Sequence, residues 1–271
     1  MALEMSERFP FGENWTKFLS VLDEGRVVTA ECSLRDFLQS EWLNGRTFLD
    51  IGSGSGLFSL AARRLGATVH SFDYDPASVA CTAELRRRYF PDDARWKVEQ
   101  GSILDADYVS RLGRFDVVYS WGVLHHTGSM WRATENAVSA VAEGGLFFIA
   151  LYNDQGVRSR VWTVIKRAYN RLPRILRPAA AVPYFLVLWG AKSALDFLRA
   201  RPFKSWRSYR SKRGMSPWHD VVDWVGGYPF EVAKPGDVIA FFRSRGFNLA
   251  KLKTCGGKLG CNEFVFERTR R

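Results

Sequence analysis

The sequence lacks the features that mark several common protein classes. Its four cysteines, Cys32, Cys81, Cys255 and Cys261, show no C-x-x-C spacing, so a zinc site of that kind is excluded. Residues 1–8 have neither the basic segment nor the apolar core of a signal peptide. We therefore expect a cytoplasmic protein with reduced thiols.

Acidic residues are nearly absent from one segment. Between Val157 and Arg213, 15 lysines and arginines accompany a single acidic residue, Asp196, while the rest of the chain has 24 basic and 27 acidic residues. The net charge of +11 therefore comes from this segment alone. The 271 residues, 46% of them hydrophobic, are enough for one domain with a full core and an insertion.

Long apolar runs are also missing. Ala179–Ala191 is apolar over 13 residues and is broken by Pro183, whereas a membrane-spanning helix needs about 20 residues. Before it, Val157, Val161 and Val164 share one helical face, with the basic residues largely off that face. This pattern predicts peripheral contact with an anionic membrane, at its inner face, with a lid or a homodimer contact as alternatives.

The most informative stretch present is Phe48-Leu49-Asp50-Ile51-Gly52-Ser53-Gly54-Ser55-Gly56. Glycines at alternate positions allow positive φ and bring bare backbone close to a ligand. The third glycine comes one residue too early for the dinucleotide fingerprint, and no Lys-Ser or Lys-Thr pair follows, which excludes a phosphate-binding P-loop. The turn is predicted to bind a different nucleotide.

Strand and helix patterns alternate from Thr47 onward. The predicted strands are Thr47–Ile51, Ala67–Phe72, Trp96–Gln100, Phe115–Ser120 and Leu146–Ala150, and the predicted helices are Leu57–Arg64, Pro76–Tyr89 and Trp131–Val141. Right-handed crossovers between such elements give a parallel, doubly wound α/β sheet. A helix from Pro235 to Arg245 and two strands, Phe247–Thr254 and Asn262–Glu267, close the chain.

Ligands of such sheets bind at the carboxyl ends of the strands. Asp73 ends the second strand at the distance past the glycines where a carboxylate can accept both hydroxyls of a ribose. Asp75, before Pro76, is predicted to cap the next helix, which leaves Asp73 for the ligand. We assign Tyr74 and Ser120, at the ends of the second and fourth strands, to the same site.

The D-x-G-x-G-x-G spacing resembles motif I of class I S-adenosylmethionine-dependent methyltransferases. Residues 47–150 with the last two strands are similar to that domain, nearest the ubiquinone-biosynthesis (polyprenyl-quinol) methylases. The resemblance implies a Rossmann-like, mostly parallel sheet of seven strands, and S-adenosyl-L-methionine as cofactor with S-adenosyl-L-homocysteine as product. It assigns the methionine end to Asp50, Gly52, Gly54 and Gly56, the ribose to Asp73, and the adenine to Ser102 and Ile103. Many family members carry Asp where this chain has Ser102.

The segment from Ser120 to Thr127 resembles the loop that borders the acceptor in quinone-type methylases. It differs from the Asn/Asp-Pro-Pro-aromatic motif of enzymes that methylate nucleic-acid bases, which disfavours nucleic acid as a partner. His125 and His126 come without H-E-x-x-H or a carboxylate cluster, and no metal is predicted. An imidazole titrates near neutral pH and suits a general base for a hydroxyl acceptor, a role open to either histidine.

The predicted division is a helical cap at 1–46, a cofactor-binding core at 47–153, a basic helical insertion at 154–213 and a closing helix with two strands at 214–271. Tyr152, Asn153, Asn262 and Glu263 are predicted to contact the acceptor. The predicted reaction is methyl transfer to a hydroxyl of a small or lipid-linked, quinol-like molecule. A sugar hydroxyl, a carbon atom, RNA, and a cofactor-binding adaptor without chemistry remain alternatives.

Overall fold

A computed structural model describes residues 12–20, 22–39, 41–199, 201–207 and 217–270. The chain divides into two compact units. The core unit comprises the described residues up to Ser159 and from Glu231, and the inserted unit runs from Arg160 to Phe230.

The core unit contains a seven-stranded sheet. Its strands are β1 Thr47–Ile51, β2 Thr68–Asp73, β3 Trp96–Gln100, β4 Phe115–Trp121, β5 Val141–Tyr152, β6 Phe247–Lys253 and β7 Cys261–Arg268. Their order is β3-β2-β1-β4-β5-β7-β6, and β7 alone runs antiparallel to its neighbours. The predicted α/β fold with a doubly wound, mostly parallel sheet is confirmed.

The helices of the core unit pack on both faces of the sheet, and the inserted unit contributes further helices. In chain order, the helices are α1 Gly12–Leu19, α2 Glu24–Leu38, α3 Leu57–Arg64, α4 Pro76–Tyr89, α5 Ala106–Leu112, α6 Met130–Ser139, α7 Val157–Arg171, α8 Arg177–Leu198, α9 Pro217–Gly226 and α10 Pro235–Arg243. The predicted helical N-terminus is two helices, α1 and α2, and its residues 1–11 lie outside the described ranges. Asp75 caps α4, as predicted, by accepting a hydrogen bond from the Ala77 amide at 2.9 Å.

Several boundaries differ from the sequence-based prediction by one or two residues, and the start of β5 differs by five. Helix α6 ends at Ser139 rather than Val141, and β5 starts at Val141 rather than Leu146. The strand passes through Gly144 and Gly145, with a register irregularity against β4, and these glycines hide its apolar pattern. Helix α5 was not predicted; Asp105 caps it by accepting from the Tyr108 amide at 3.0 Å.

Alternating residues of the strands fill two apolar cores, one on each face of the sheet. In β1, Phe48 packs into the cluster that contains α2 and α3, while Leu49 packs into the cluster that contains α6 and α10. Both residues are fully buried. Burying such a side chain contributes about 1.5–3 kcal/mol, so the two cores hold the strand ends rigidly in place.

The inserted unit has a small aromatic core of its own, with Tyr169, Trp189 and Val225 buried at its centre. Within the described ranges, no single helix has the length and apolar character needed to cross a bilayer. The two halves of α8, Arg177–Val187 and Lys192–Leu198, meet those two criteria together but are bent by 61°.

Candidate functional site

The glycine turn after β1 fits against the loop after β4. Gly52 has φ +75°, and a Cβ there would lie 2.4 Å from Cγ1 of Val123. Gly54 has φ +55°, and a Cβ there would lie 3.0 Å from the indole Nε1 of Trp15 in α1. Gly56, with φ +79°, precedes the first turn of α3. The missing side chains let the backbone of the turn approach both neighbours.

Asp73 stands beside this turn at the end of β2. Its Oδ2 accepts a hydrogen bond from the Gly54 amide at 2.9 Å, and its Oδ1 accepts one from the Asp75 amide at 2.9 Å. Burial raises the pKa of the Asp73 carboxyl to about 6, although the two amides favour its charged form. The carboxylate is therefore held in a fixed orientation next to the glycine backbone.

Asp50 lies beneath the turn, inside the domain. Its carboxyl is 2% exposed and accepts a 2.5 Å hydrogen bond from Ser59, which in turn bonds Ser71 at 2.7 Å. Burial raises the pKa of Asp50 to about 7. These partners tie β1 to α3 and β2, and the contact of Asp50 with a methionine moiety stays a prediction.

The remaining predicted cofactor residues follow β2, β3 and β4. Tyr74 is 46% exposed, and its carbonyl accepts from Gln100 at 3.1 Å. Ser102 is partly buried and accepts from the Leu104 amide at 3.2 Å. Ile103 belongs to the core at 6% exposure. Ser120 is fully buried and donates to the Ile51 carbonyl at 3.3 Å, which ties β4 to the start of the glycine turn.

The two histidines lie on a short 3-10 helix, Leu124–His126, between β4 and α6. His125 is 1% exposed, and its Nδ1 accepts a 3.4 Å hydrogen bond from the backbone amide of Tyr152 at the end of β5. The Tyr152 ring packs on it, with ring centroids 3.9 Å apart. His126 is partly exposed and its ring centroid lies 4.5 Å from that of His125. The structure thus brings three predicted residues together.

Glu231 holds the histidine loop, Leu124–His126, a role that its local sequence does not indicate. Its amide donates to the His125 carbonyl at 3.0 Å, and its carboxylate accepts from the Met130 amide at 3.0 Å, at the start of α6. Burial raises the pKa of the Glu231 carboxyl, opposed by its bonds to the amides of Met130 and Gly128. Because 101 residues separate Glu231 from Met130, no local pattern could have indicated the pair.

The predicted acceptor residues do not share one surface. Asn262 is 2% exposed and donates to Asn153 Oδ1 at 3.0 Å. Glu263 follows it in β7, so its side chain faces the other side of the sheet, where it pairs with Lys253 at 3.7 Å. Tyr152, beside the histidines, is the member of the set that lies at the histidine loop.

Ligands for a metal ion are not assembled in the described ranges. No group of three or more His, Cys, Asp or Glu side chains there has the arrangement of a metal site.

Comparison with known proteins identifies the core unit. Residues 49–147 match a family model described as a methyltransferase domain. The ubiquinone biosynthesis O-methyltransferase of Methylobacterium sp. (strain 4-46) is 33% identical over 143 residues, 52% of this chain and 55% of that protein. The ribosomal protein L11 methyltransferase of Bacillus subtilis is 29% identical over 164 residues, 54% of this chain and 49% of that protein.

Solved structures agree on the fold. Magnesium protoporphyrin IX methyltransferase from Synechocystis PCC 6803, crystallised with S-adenosylhomocysteine, superposes with a TM-score of 0.53 at 12% identity over 90% of this chain and 84% of that one. A methyltransferase from Anabaena variabilis gives a TM-score of 0.52 at 12% identity, covering 98% of this chain and 96% of that one.

The chain spans about half the length of the ubiquinone-type relatives it matches, 55% and 51% for the two from Methylobacterium. The matched region contains the glycine turn, Asp73 and the histidine loop. For residues 49–147 the predicted resemblance to methyltransferases is confirmed, and so is the predicted fold. Residues 49–147 match a methyltransferase domain, and the core unit that contains them has the fold of class I methyltransferases.

Proposed function

We propose that this protein transfers a methyl group from S-adenosylmethionine to a hydroxyl of a small or lipid-linked, quinol-like acceptor. The observation that carries the proposal is the carboxylate of Asp73, fixed by the Gly54 amide at 2.9 Å beside the glycine turn. A carboxylate in that position suits the paired hydroxyls of a ribose. Residues 50–56 contain no basic side chain for a phosphate, which agrees with a cofactor that has none.

Each group at the strand ends has a task in this reaction. When bound, S-adenosylmethionine supplies an electrophilic methyl group on a sulfonium. Asp73 holds the ribose, the backbone of Gly52 and Gly54 approaches the methionine end, and Trp15 covers the turn. The histidine loop orients the acceptor hydroxyl and receives its proton. Most of the rate comes from holding the acceptor oxygen and the methyl carbon in line.

Titration calorimetry with S-adenosylmethionine tests the cofactor site. We expect Asp73→Ala to weaken binding by roughly 10- to 150-fold, since a hydrogen bond to a charged group contributes about 1.5–3 kcal/mol. Asp36→Ala, which removes a carboxylate that pairs with Lys251 at 2.9 Å on the surface, serves as the control and retains full affinity. A wild-type protein that gives no binding heat would refute the cofactor assignment.

The quinol-like acceptor is supported by the 33% identity to a ubiquinone biosynthesis O-methyltransferase over 143 residues. Incubation with S-adenosylmethionine carrying a labelled methyl group, followed by mass spectrometry of a bacterial lipid extract, identifies the product. We expect label on a phenolic oxygen. Label on a sugar, on carbon or on RNA would replace this acceptor with one of the alternatives.

We also propose that the inserted unit docks on an anionic membrane at its cytoplasmic face. Exposed apolar side chains support this: Ile175 is 86% exposed, Val187 81% and Leu198 84%. Basic residues such as Lys192 and Lys204 are exposed on the same unit. Apolar side chains among cations are typical of surfaces that enter the interface of a bilayer.

Sedimentation with phosphatidylglycerol-containing vesicles tests the membrane contact. We expect Leu186→Ser combined with Val187→Ser to release the protein from vesicles, whereas Val28→Ser, at a site 43% exposed in the core unit, leaves it bound. A wild-type protein that stays in the supernatant and elutes as a dimer would assign the same surface to a second copy of the chain.

A further inference from the structure

The protonation of His125 is set by its backbone partner. Its Nδ1 accepts the hydrogen bond from the Tyr152 amide, so this nitrogen carries the lone pair. In the neutral ring the proton then sits on Nε2, because one ring nitrogen is a donor when the other is an acceptor. Neither nitrogen of His125 can receive a proton from an acceptor without breaking this bond.

His126 has a different environment. Its side chain is partly exposed, while that of His125 is 1% exposed. Its backbone amide donates to the Val123 carbonyl at 2.9 Å, and the Val123 side chain is the one that packs against Gly52. His126 is therefore fixed to the part of the loop that contacts the cofactor turn.

We propose that His126 is the general base for the acceptor and that His125 is a positioning residue that fastens the loop to β5. The proposal rests on the proposed methyl transfer. His126 takes the hydroxyl proton on a ring nitrogen and becomes an imidazolium, as the oxygen forms its bond to the methyl carbon. The electron pair of the broken carbon–sulfur bond goes to sulfur, which loses its positive charge.

The tautomer of His125 is measurable without cofactor or acceptor. Two-bond proton–nitrogen spectra of protein with ¹⁵N-labelled histidine, assigned with the His125→Asn and His126→Asn variants, report which nitrogen carries the proton. We expect an unprotonated Nδ1 at His125 at neutral pH. A proton on Nδ1 of His125 would overturn the positioning role.

A methyl-transfer assay distinguishes the roles of the two histidines. The probe is a chloroform–methanol extract of bacterial membranes with tritium-labelled S-adenosylmethionine. We expect His126→Asn to lower the rate of methyl transfer by at least about 100-fold, the usual contribution of a general base. The variant is also expected to lose the rise of the rate with pH over the range in which an imidazole titrates. Affinity for S-adenosylhomocysteine is expected to stay unchanged.

The positioning role of His125 is tested by comparing two replacements, His125→Asn and His125→Gln. The amide oxygen of Asn lies where Nδ1 of His lies, whereas that of Gln lies nearer Nε2. His125→Asn is therefore expected to recover most of the rate that His125→Gln loses, with the pH profile of the wild type. Equal losses in both variants, or a His126→Asn variant with the wild-type rate, would overturn the assignment. A wild-type protein that transfers no label would overturn the proposed function and, with it, the role of His126. The tautomer measurement would still test the positioning role of His125.

Discussion

At the residue scale, the glycine turn depends on the hydrogen atom that Gly52 carries instead of a side chain. Gly52→Ala would combine a positive φ of +75° with a methyl 2.4 Å from Val123. We expect a loss of about 3 kcal/mol in the free energy of unfolding, because left-handed backbone costs about 1–2 kcal/mol and overpacking about 1–3 kcal/mol. Chemical denaturation measures it.

Gly45→Ala is the matched control for that prediction. Gly45 has nearly the same φ, +74°, and no atom within 4 Å of an added Cβ. The Gly45→Ala variant is therefore expected to lose only about 1–2 kcal/mol of the free energy of unfolding, the cost of the left-handed backbone. Equal losses at the two positions would mean that the contact between the glycine turn and Val123 is not tight.

Asp50 makes stability depend on pH. The pKa of its buried carboxyl is raised from 3.8 to about 7, so between these values the folded state holds a proton that the unfolded state has released. Stability therefore falls as pH rises from 4 to 7, by as much as ~4 kcal/mol from this group. We expect Asp50→Asn, which keeps an acceptor for Ser59, to flatten that decline in thermal melts. An unchanged slope would show that Asp50 is ionised in the fold.

Residues in local patterns could be predicted from the sequence, and residues with distant partners could not. The glycine spacing, Asp73 and the Asp75 cap are each encoded within a few neighbours. The bond from the Tyr152 amide to His125 and the bonds of Glu231 join segments that only the folded sheet brings together. Asn262 and Glu263 were grouped by proximity in sequence, although the alternation of a strand separates them.

At the scale of elements, Glu231 substitutes for a side-chain cap that α6 lacks. The residue before the helix, Ser129, makes no capping hydrogen bond with its side chain, while the Glu231 carboxylate accepts from the Met130 amide. We expect Glu231→Ala to lower the free energy of unfolding by about 1–2 kcal/mol, as for other lost caps. Glu231→Gln keeps an acceptor oxygen and is expected to lose less; equal losses would argue against capping.

Helix α7 carries a buried charge that should give the inserted unit its own pH response. Lys166 is fully buried, bonds the Trp224 carbonyl and lies 4.3 Å from the centre of the Trp224 ring. Burial lowers the pKa of Lys166 from 10.5 to about 7. Above pH 7 the unfolded state therefore binds a proton that the folded state does not, and stability rises with pH.

Tryptophan fluorescence during thermal unfolding tests this, since Trp162 and Trp224 surround Lys166. Between pH 7 and 9 we expect a gain of about 2 kcal/mol in the wild type and little gain in Lys166→Met. Lys192→Met, which removes an exposed lysine 4.8 Å from the Trp189 ring, should behave as the wild type. The same gain in Lys166→Met would place the titration on another group.

The order and type of the elements followed from the sequence because apolar period and turn residues agree along β1 to β4. The limits of α6 and β5 could not be predicted, since Gly144 and Gly145 interrupt the apolar pattern of the strand. Val141 pairs with Phe115 of β4 before these glycines, and pairing with β7 begins only at Leu146. Helix α5 has seven residues, too few to show a helical period.

At the scale of the whole molecule, charge and structure divide the chain at similar places. The excess of basic residues lies between 157 and 213, and the inserted unit runs from Arg160 to Phe230. Apart from Arg158, the basic residues of this segment lie outside the core unit, which contains the methyltransferase domain. The two proposed functions, methyl transfer and membrane docking, are therefore assigned to different units, and we expect that each can be disrupted without the other.

The dependence of vesicle binding on salt and on the position of the charges tests whether docking belongs to the inserted unit. Each lysine or arginine near an anionic membrane contributes about 1 kcal/mol, and the Debye length falls from about 10 Å at 0.1 M salt to about 3 Å at 1 M. We expect vesicle binding to weaken with salt, and Lys204→Gln with Arg207→Gln to weaken it about 30-fold at low salt. Arg95→Gln with Lys97→Gln removes the same charge from exposed sites of the core unit, with side chains 64% and 60% exposed. Because contact through the inserted unit depends on where the charges lie, this control should bind as the wild type does, and equal losses in both variants would reduce the membrane proposal to an effect of net charge.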